Sequence, residues 1–543
     1  MFSSIVLMAT LAGAGEGDKA VSLFESSVEV AVEGKIDTLV FDRLKQLGIE
    51  PAKASLDEVF VRRVYLDVIG TLPTSQEARE FLDDRDPDKR RALIDRLMER
   101  DEFADYWAMK WSDLLRVKAE FPINLWPNAV QLYHRWIRTS IKDNVPYDRF
   151  VREMLTASGS NFRVPQVNFY RGMQNREPEG IAQTVALTFM GTRAEKWPKD
   201  RLSGMAAFFS KIEYKGTAEW KEQIVRFAPE KAESGDENGE PAPAVFPDGT
   251  EARLSSDQDP RKALADWLIT PENPWFTRNI ANRVWSWLLG RGIIHEPDDI
   301  RPDNPPSNPE LLAHLEKELI AADYDVKHLY RLILNSQTYQ LSSIPGTETP
   351  EAAANFAYYP LRRLEAEVLI DALNQITGTT EKYTSPIPEP FTFIPEDQRS
   401  IALADGSITS SFLEMFGRPS RDTGLESERS NRPTANQWLH LLNSSHVQRK
   451  IEQGPNLQRL LVSRKSARDS VTEIYLTVLS RFPTEEELKT VETYAQSDGA
   501  SASEATGRKP RRGSTVRFSA TGREAMVDLV WALINSAEFL HRH

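Results

Sequence analysis

Tyr65-Leu66-Asp67-Val68-Ile69-Gly70-Thr71-Leu72-Pro73-Thr74 reads as the end of one helix, a turn and the cap of the next. Pro73 precedes Thr74, and Glu77 stands three residues beyond it. The threonine hydroxyl can therefore accept from a free N–H of the first turn while the glutamate reaches back to the cap's own N–H. Nearly the same run returns at Tyr475-Leu476-Thr477-Val478-Leu479-Ser480-Arg481-Phe482-Pro483-Thr484, with Glu487 in the matching place. Pro433-Thr434 with Gln437 is a third such start. Two weaker echoes link Tyr147-Asp148 through Leu155-Thr156 with Tyr324-Asp325 through Leu334-Asn335, and Leu332 to Ser336 with Leu533 to Ser536, each of the latter followed by an aromatic, Tyr339 or Phe539. A chain that repeats helix, turn and capped helix is expected to be mainly α, with duplication of a helical module behind it.

Outward from these starts, helical spacing continues in two blocks. The first, 36–229, holds runs at Val59 to Leu66, Arg90 to Met98, Ala104 to Leu115 and Ala129 to Ile141, with Trp107 and Trp111 on one helix face. The second, 261–543, holds Ala281 to Leu289, Pro309 to Ala321, Val326 to Ser336 and Glu365 to Thr377. Between them, 230–260 is rich in Glu, Pro, Gly, Ser and Asp, which reads as a linker with a short hairpin around Pro247-Asp248-Gly249. At 543 residues the chain exceeds what one core usually organises, so two helical domains joined by that linker are expected. Pro386, Pro388, Pro390 and Pro395 deny 378–418 a long helix and leave room for a short hairpin, while 497–521 is biased to Ser, Gly and Arg.

Composition removes several functions. A net charge of −13 repels a phosphate backbone, so nucleic acid is not an expected partner. With no cysteine the chain has no disulfide, thiolate zinc site, iron–sulfur cluster or covalent haem. There is no Gly-x-Ser-x-Gly elbow, His-Glu-x-x-His, phosphate-binding glycine loop or dinucleotide fingerprint. Phe2 to Ala14 is an apolar run ending Ala12-Gly13-Ala14, the pattern of a clipped signal peptide over residues 1–14. A periplasmic or extracellular mature chain without a transmembrane anchor is the expectation.

Two polar stretches are candidate sites. Arg418, Arg421, Glu426, Glu428 and Arg429 alternate charge in a segment punctuated by glycine and proline just before the Thr434 cap. Arginine forks beside a helix start suit a sulfate, carboxylate or uronate, and the same residues can instead lock the segment as a salt-bridge network. His295, Asp298, Asp299 and Asp303 put imidazole and carboxylate ligands into one loop that could hold Ca²⁺ or Mg²⁺, or pair with Arg291 and Arg301. His440 and His446 lie six apart and would face different ways on one continuous helix. Trp126, Trp136, Trp285 and Trp287 would form a sugar-stacking platform if exposed, and core if buried.

Val61-Arg62-Arg63-Val64-Tyr65-Leu66-Asp67-Val68-Ile69-Gly70-Thr71-Leu72-Pro73-Thr74, followed by Asp148-Arg149-Phe150-Val151-Arg152-Glu153, resembles a planctomycete-type, cytochrome-associated domain of unknown function. The second block resembles its usual planctomycete-specific companion. The motifs are Asn273-Pro274-Trp275-Phe276, Asn282-Arg283-Val284-Trp285, Gly290-Arg291-Gly292, Pro306-Ser307-Asn308-Pro309-Glu310-Leu311-Leu312, and Leu334-Asn335-Ser336 with Thr338-Tyr339. The resemblance implies an exported protein of a kind often fused to cytochrome-like or carbohydrate-binding-like modules, and it brings no established activity. Many relatives carry Cys-x-x-Cys-His where Phe189-Met190-Gly191-Thr192-Arg193 runs into Ala194-Glu195-Lys196-Trp197, and paired cysteines where Leu425 and Ser427 flank Glu426. This chain is therefore a variant without the haem-like segment. The expected role is an exported binding or scaffold protein working beside extracytoplasmic polysaccharide processing, its partner a glycan or another exported protein. The alternative is an uncharacterised carboxylate-dependent hydrolase.

Overall fold

The computed structural model describes residues 23–26, 30–231, 243–255, 257–462, 466–494 and 520–543. The expected signal peptide at 1–14 lies outside the described residues, as do 232–242 of the linker and 497–519 of the Ser/Gly/Arg-rich stretch. The fold is mainly α. Its centre is the Asp57–Val68 helix, in which every residue from Val59 to Val68 is buried. A helix covered on all sides normally carries only apolar side chains, yet this one takes Arg62, Arg63 and Asp67 into the interior. Their pairing is therefore the first question the fold raises.

The helix ends as its sequence suggests. Gly70 adopts φ +60°, and a Cβ there would sit 2.4 Å from the Tyr106 ring, so only glycine fits the turn. The Ser75–Asp83 helix follows with both capping bonds made: Thr74 N–H donates to Glu77 Oε2 at 2.8 Å, and Glu77 N–H donates to Thr74 Oγ1 at 3.2 Å. The second copy has the same local form. The Ala467–Leu479 helix ends at Ser480, also at φ +60°, and Thr484 and Glu487 exchange bonds of 2.7 and 3.1 Å. The copies pack on each other, with the Arg79 guanidinium 5.4 Å from the Phe482 ring centre and Ser75 Oγ donating to Glu473.

Most other helices follow their apolar spacing: Lys89–Met98, Asp101–Leu114, Pro127–Lys142, Phe276–Leu289, Pro309–Ala321, Val326–Leu334 and Ala366–Thr377. The strands do not all fall where expected. Ile212–Gly216 and Gln223–Phe227 form an antiparallel hairpin with Tyr214 opposite Val225, and Gly159–Ser160 pairs with the far side of Gln223–Phe227. The linker carries its small hairpin, with Val245 opposite Glu251 across Pro247–Gly249, and Phe246 stacks between Phe208 and Trp267. The 378–418 segment is irregular and holds a single bridge, Thr384 to Thr409. Arg362–Arg363 pairs with His541–Arg542. Buried apolar side chains from Ile36 to Leu540 form one continuous cluster, so both blocks contribute to the same core. Among the described residues no helix is long and apolar enough to cross a membrane.

Candidate functional site

Arg62 and Arg63 act as a clamp on the two echoing segments. Arg62 donates to the carbonyls of Val478 and Phe539, each at 2.8 Å. Arg63 donates to Tyr339 and Leu341 at 2.6 and 2.8 Å, and to His543 at 2.8 Å. Tyr339 and Phe539 are the aromatics of the two echoes, and each segment is capped alike: Ser336 Oγ accepts from Tyr339 N–H and Ser536 Oγ from Phe539 N–H, both at 3.2 Å. Chain that leaves a helix exposes carbonyls inside the core, and neighbouring guanidiniums satisfy them.

Asp67, one turn further on, anchors a second group. It accepts from the Tyr339 and Tyr359 hydroxyls at 2.9 and 2.7 Å and lies 3.1 Å from Arg542. Arg542 also pairs with Glu365, which holds Lys110 at 2.6 Å. Burial pushes the Glu365 carboxyl up, and the Arg542 and Lys110 charges more than reverse it, leaving it well below the usual carboxylate range.

The alternating charges before Thr434 join this interior. Arg429 forks between Asp113 at 2.7 Å and Glu367 at 2.7 and 3.0 Å. Arg421 reaches the other oxygen of Asp113 at 2.9 Å, and Arg418 lies 3.4 Å from Glu367. The three arginines do gather, but their side chains are buried rather than presented on a concave surface. Burial opposes the Glu367 charge, Arg429 and Arg418 favour it, and the carboxyl settles at about 2. Glu428 turns away and accepts from Ser420 Oγ, both N–H groups of Asp422 and Thr423, and the Thr423 hydroxyl, fixing its own loop.

Glu426 meets a residue expected in the other site. Its N–H donates to Asp298 Oδ2 at 2.7 Å, its carboxylate accepts from Trp287 Nε1 at 3.1 Å, and Arg283 pairs with Asp298 at 2.7 Å. Burial raises the Glu426 carboxyl above its ordinary range, with Arg283 opposing. The proposed cation ligands do not converge. Asp298 is taken by Arg283, Asp299 and Asp303 both pair with Arg301 at 3.2 and 3.1 Å, and His295 is exposed. No group of three or more His, Asp or Glu able to hold a metal ion occurs among the described residues. The reason is local: arginines of the Phe276–Leu289 helix and of the loop itself neutralise the carboxylates first.

His440 and His446 are closer than a continuous helix allows. Ser444 ends Ala435–Asn443 and caps Ser445–Gln453, so the two imidazoles come within 5.7 Å, and His446 bonds Glu381 at 2.9 Å.

A cavity of about 50 Å³ lies among Phe103, Trp107, Trp111, Tyr147, Tyr330 and Lys327. It has room for a few water molecules, and no carboxylate lines it. Lys327 is held there by the Met98 carbonyl at 3.0 Å and Glu99 at 3.3 Å.

The aromatic reading divides cleanly. Trp285 and Trp287 are core, and Trp136 stacks on Phe150 at 4.7 Å. Trp126, at the start of Pro127–Lys142, is partly buried against the core and meets two exposed rings, the hairpin tip residue Trp220 at 6.5 Å and Phe391 at 5.3 Å. Trp220 is 70% exposed and Phe391 52%. The Lys221 ammonium lies 5.5 and 5.4 Å from the two indoles and pins the hairpin tip to Trp126. Trp220 and Phe391 were missed in the sequence. The available signal was a lone tryptophan in the polar turn Thr217-Ala218-Glu219-Trp220-Lys221-Glu222, where no helical or strand period needs it.

Comparison with known proteins places these features. Residues 35–211 match the family model PSCyt2, described as a protein of unknown function (DUF1549), and residues 260–495 match PSD1, a protein of unknown function (DUF1553). No curated protein and no solved structure matches. The first match contains the arginine clamp and Asp67, the second the Glu365–Glu367 and Arg418–Arg429 charges. In order and extent of its two matches, the chain belongs to the planctomycete-type tandem family of PSCyt2 followed by PSD1, as a cysteine-free member.

Proposed function

We propose that this chain is an exported binding protein whose ligand surface is the aromatic cluster of Trp126, Trp220 and Phe391, and whose ligand is a carbohydrate. The observation that carries the reading is that three rings from three separate segments meet at the surface. Contiguous exposed aromatic surface of this kind marks an interaction site. The C–H face of a sugar ring packs on an aromatic face. The charged segment at 418–430 does not compete as a ligand site, because its arginines are spent on Asp113, Glu367 and carbonyls. Export through residues 1–14 would bring the cluster to extracytoplasmic polysaccharide, beside enzymes that process it.

Affinity electrophoresis in gels cast with soluble polysaccharides tests the reading. The wild-type chain is expected to be retarded by at least one polymer, and a W220A/F391A variant, changed only at exposed rings, to run free of that retardation while melting at nearly the wild-type temperature. Free migration of the wild type in every gel would overturn it.

A further inference from the structure

We infer that His440 and His446 form an acid-operated latch: when His440 takes up a second ring proton, the end of the Ala435–Asn443 helix leaves the Phe412–Phe416 stack and uncovers an apolar surface. None of the residues involved belongs to the Trp126 cluster. His440 sits 5.7 Å from the Phe412 ring and 6.2 Å from the Phe416 ring, which stack on each other at 4.2 Å and are fully buried. His446 reaches the same Phe412 from the next helix, at 5.9 Å, so one phenyl ring touches both imidazoles. The rest of the Ala435–Asn443 helix is lightly held. Its buried side chains are Gln437 and Leu441, while Leu439 and Leu442 are 57% and 42% exposed. The start is tied down by the Thr434 capping box and by Gln437 Nε2, which donates to the Met415 carbonyl at 2.9 Å. The end depends on Leu441 and on the contacts of His440, so it is the part that a change at His440 frees.

The two imidazoles differ in what faces them. His446 Nε2 lies 2.9 Å from Glu381, a carboxylate that can hold the ring in its charged form, and Lys450 shares the same carboxylate oxygen at 3.1 Å. His440 has only the Ser444 hydroxyl, 3.3 Å from its Nε2. Further out, Arg363 lies 5.4 Å from the Phe416 ring, His541 6.5 Å from Trp438, and Glu414 is exposed on Ser411–Met415. Burial and the neighbouring His446 hold the His440 imidazole below its ordinary value of 6.5, with Glu381 opposing them. Burial pushes the Glu381 carboxyl up, but His446 and Lys450 more than reverse it, so it stays charged above about pH 5. The closed helix therefore has its full advantage above about 6.5. That advantage is lost as pH falls below 6.5, because the released His440 binds its proton more readily than the packed one.

Hydrogen exchange of the full chain, read by mass spectrometry and corrected for the intrinsic dependence of exchange on pH, tests the latch. Opening of 435–443 is expected to increase at least about fivefold between pH 7 and pH 5, while the central helix at 57–68 stays protected. H440Q keeps a polar partner for Ser444 and cannot be charged; H440F keeps the ring contacts. Whichever of the two matches wild-type protection at pH 7 should hold 435–443 closed at pH 5. In the wild type, the opening should follow the titration of the His440 ring, observed by magnetic resonance with labelled histidine. Absence of acid opening in the wild type, a midpoint that departs from the His440 titration, or the same opening in the matched variant overturns the latch.

Discussion

Replacing Arg62 by Ala removes one half of the clamp and should destabilise the protein in a place that can be located. The side chain is wholly buried and gives two charge-assisted bonds of 2.8 Å, to Val478 and Phe539 carbonyls. Alanine leaves both acceptors in the core without a donor, at about 1–2 kcal/mol each, and opens a void where the stem packed, for about 1–2 more. The total, about 3–6 kcal/mol, is a large share of the stability of an ordinary domain. Burial already pushes the Arg62 pKa down to about 10, so the charge itself is unfavourable there. R62M, which keeps the stem's packing and drops the charge, should therefore lose less than R62A. Chemical unfolding gives the size, and hydrogen exchange gives the place: protection should fall first in 471–479 and 533–540. A loss under about 1 kcal/mol, or protection lost evenly along the chain, would refute the clamp.

Arg429→Ala should also be costly, about 3–5 kcal/mol by chemical unfolding, because Asp113 and Glu367 are left buried without their shared partner. The Glu367 contribution is present above its free value near 4.5 and is lost as pH falls toward about 2, so in R429A, where the carboxyl rises, acid unfolding should begin at higher pH than in the wild type. Asp371 runs the other way. Burial raises it to about 6 although Ser400 and Ile401 N–H groups donate to it, so the folded state holds its proton more firmly and stability from this group falls as pH rises from about 4 through 6. D371N should remove that slope, by roughly 2–3 kcal/mol across the window, in melting experiments at matched ionic strength. Fusion of a reporter after the full chain should give activity outside the cytoplasm, and activity confined to the cytoplasm would overturn the export reading.

The helix starts were legible because capping is local: Thr74, Thr434 and Thr484 each find the partner three residues on, and all three boxes form. The echo of Tyr65–Thr74 in Tyr475–Thr484 was legible as helix, turn and capped helix, and the structure adds that Gly70 and Ser480 share φ +60°. What lay beyond the sequence was long-range pairing. Nothing near Arg429 names Asp113 or Glu367 as its partners, and the charge pattern alone could not tell a ligand site from an interior lock. His440 and His446 approached each other because Ser444 broke the helix assumed to be continuous. The cation ligands scattered because Arg283 and Arg301 sit among them, one of these on a different element. Trp126 was named, whereas Trp220 and Phe391 reach it from about 95 and 265 residues away, on a hairpin and a proline-rich segment without helical period.

Hydroxyl-radical footprinting of the full chain, with and without a soluble polysaccharide that retards it, compares the two surfaces directly. Ligand should shield Trp220, Phe391 and Trp126, leaving Met415, Leu425 and the neighbouring 418–430 segment as reactive as before. Unchanged reactivity at Trp220 and Phe391 with new protection in 418–430 would contradict the account and return the binding site to the charged segment.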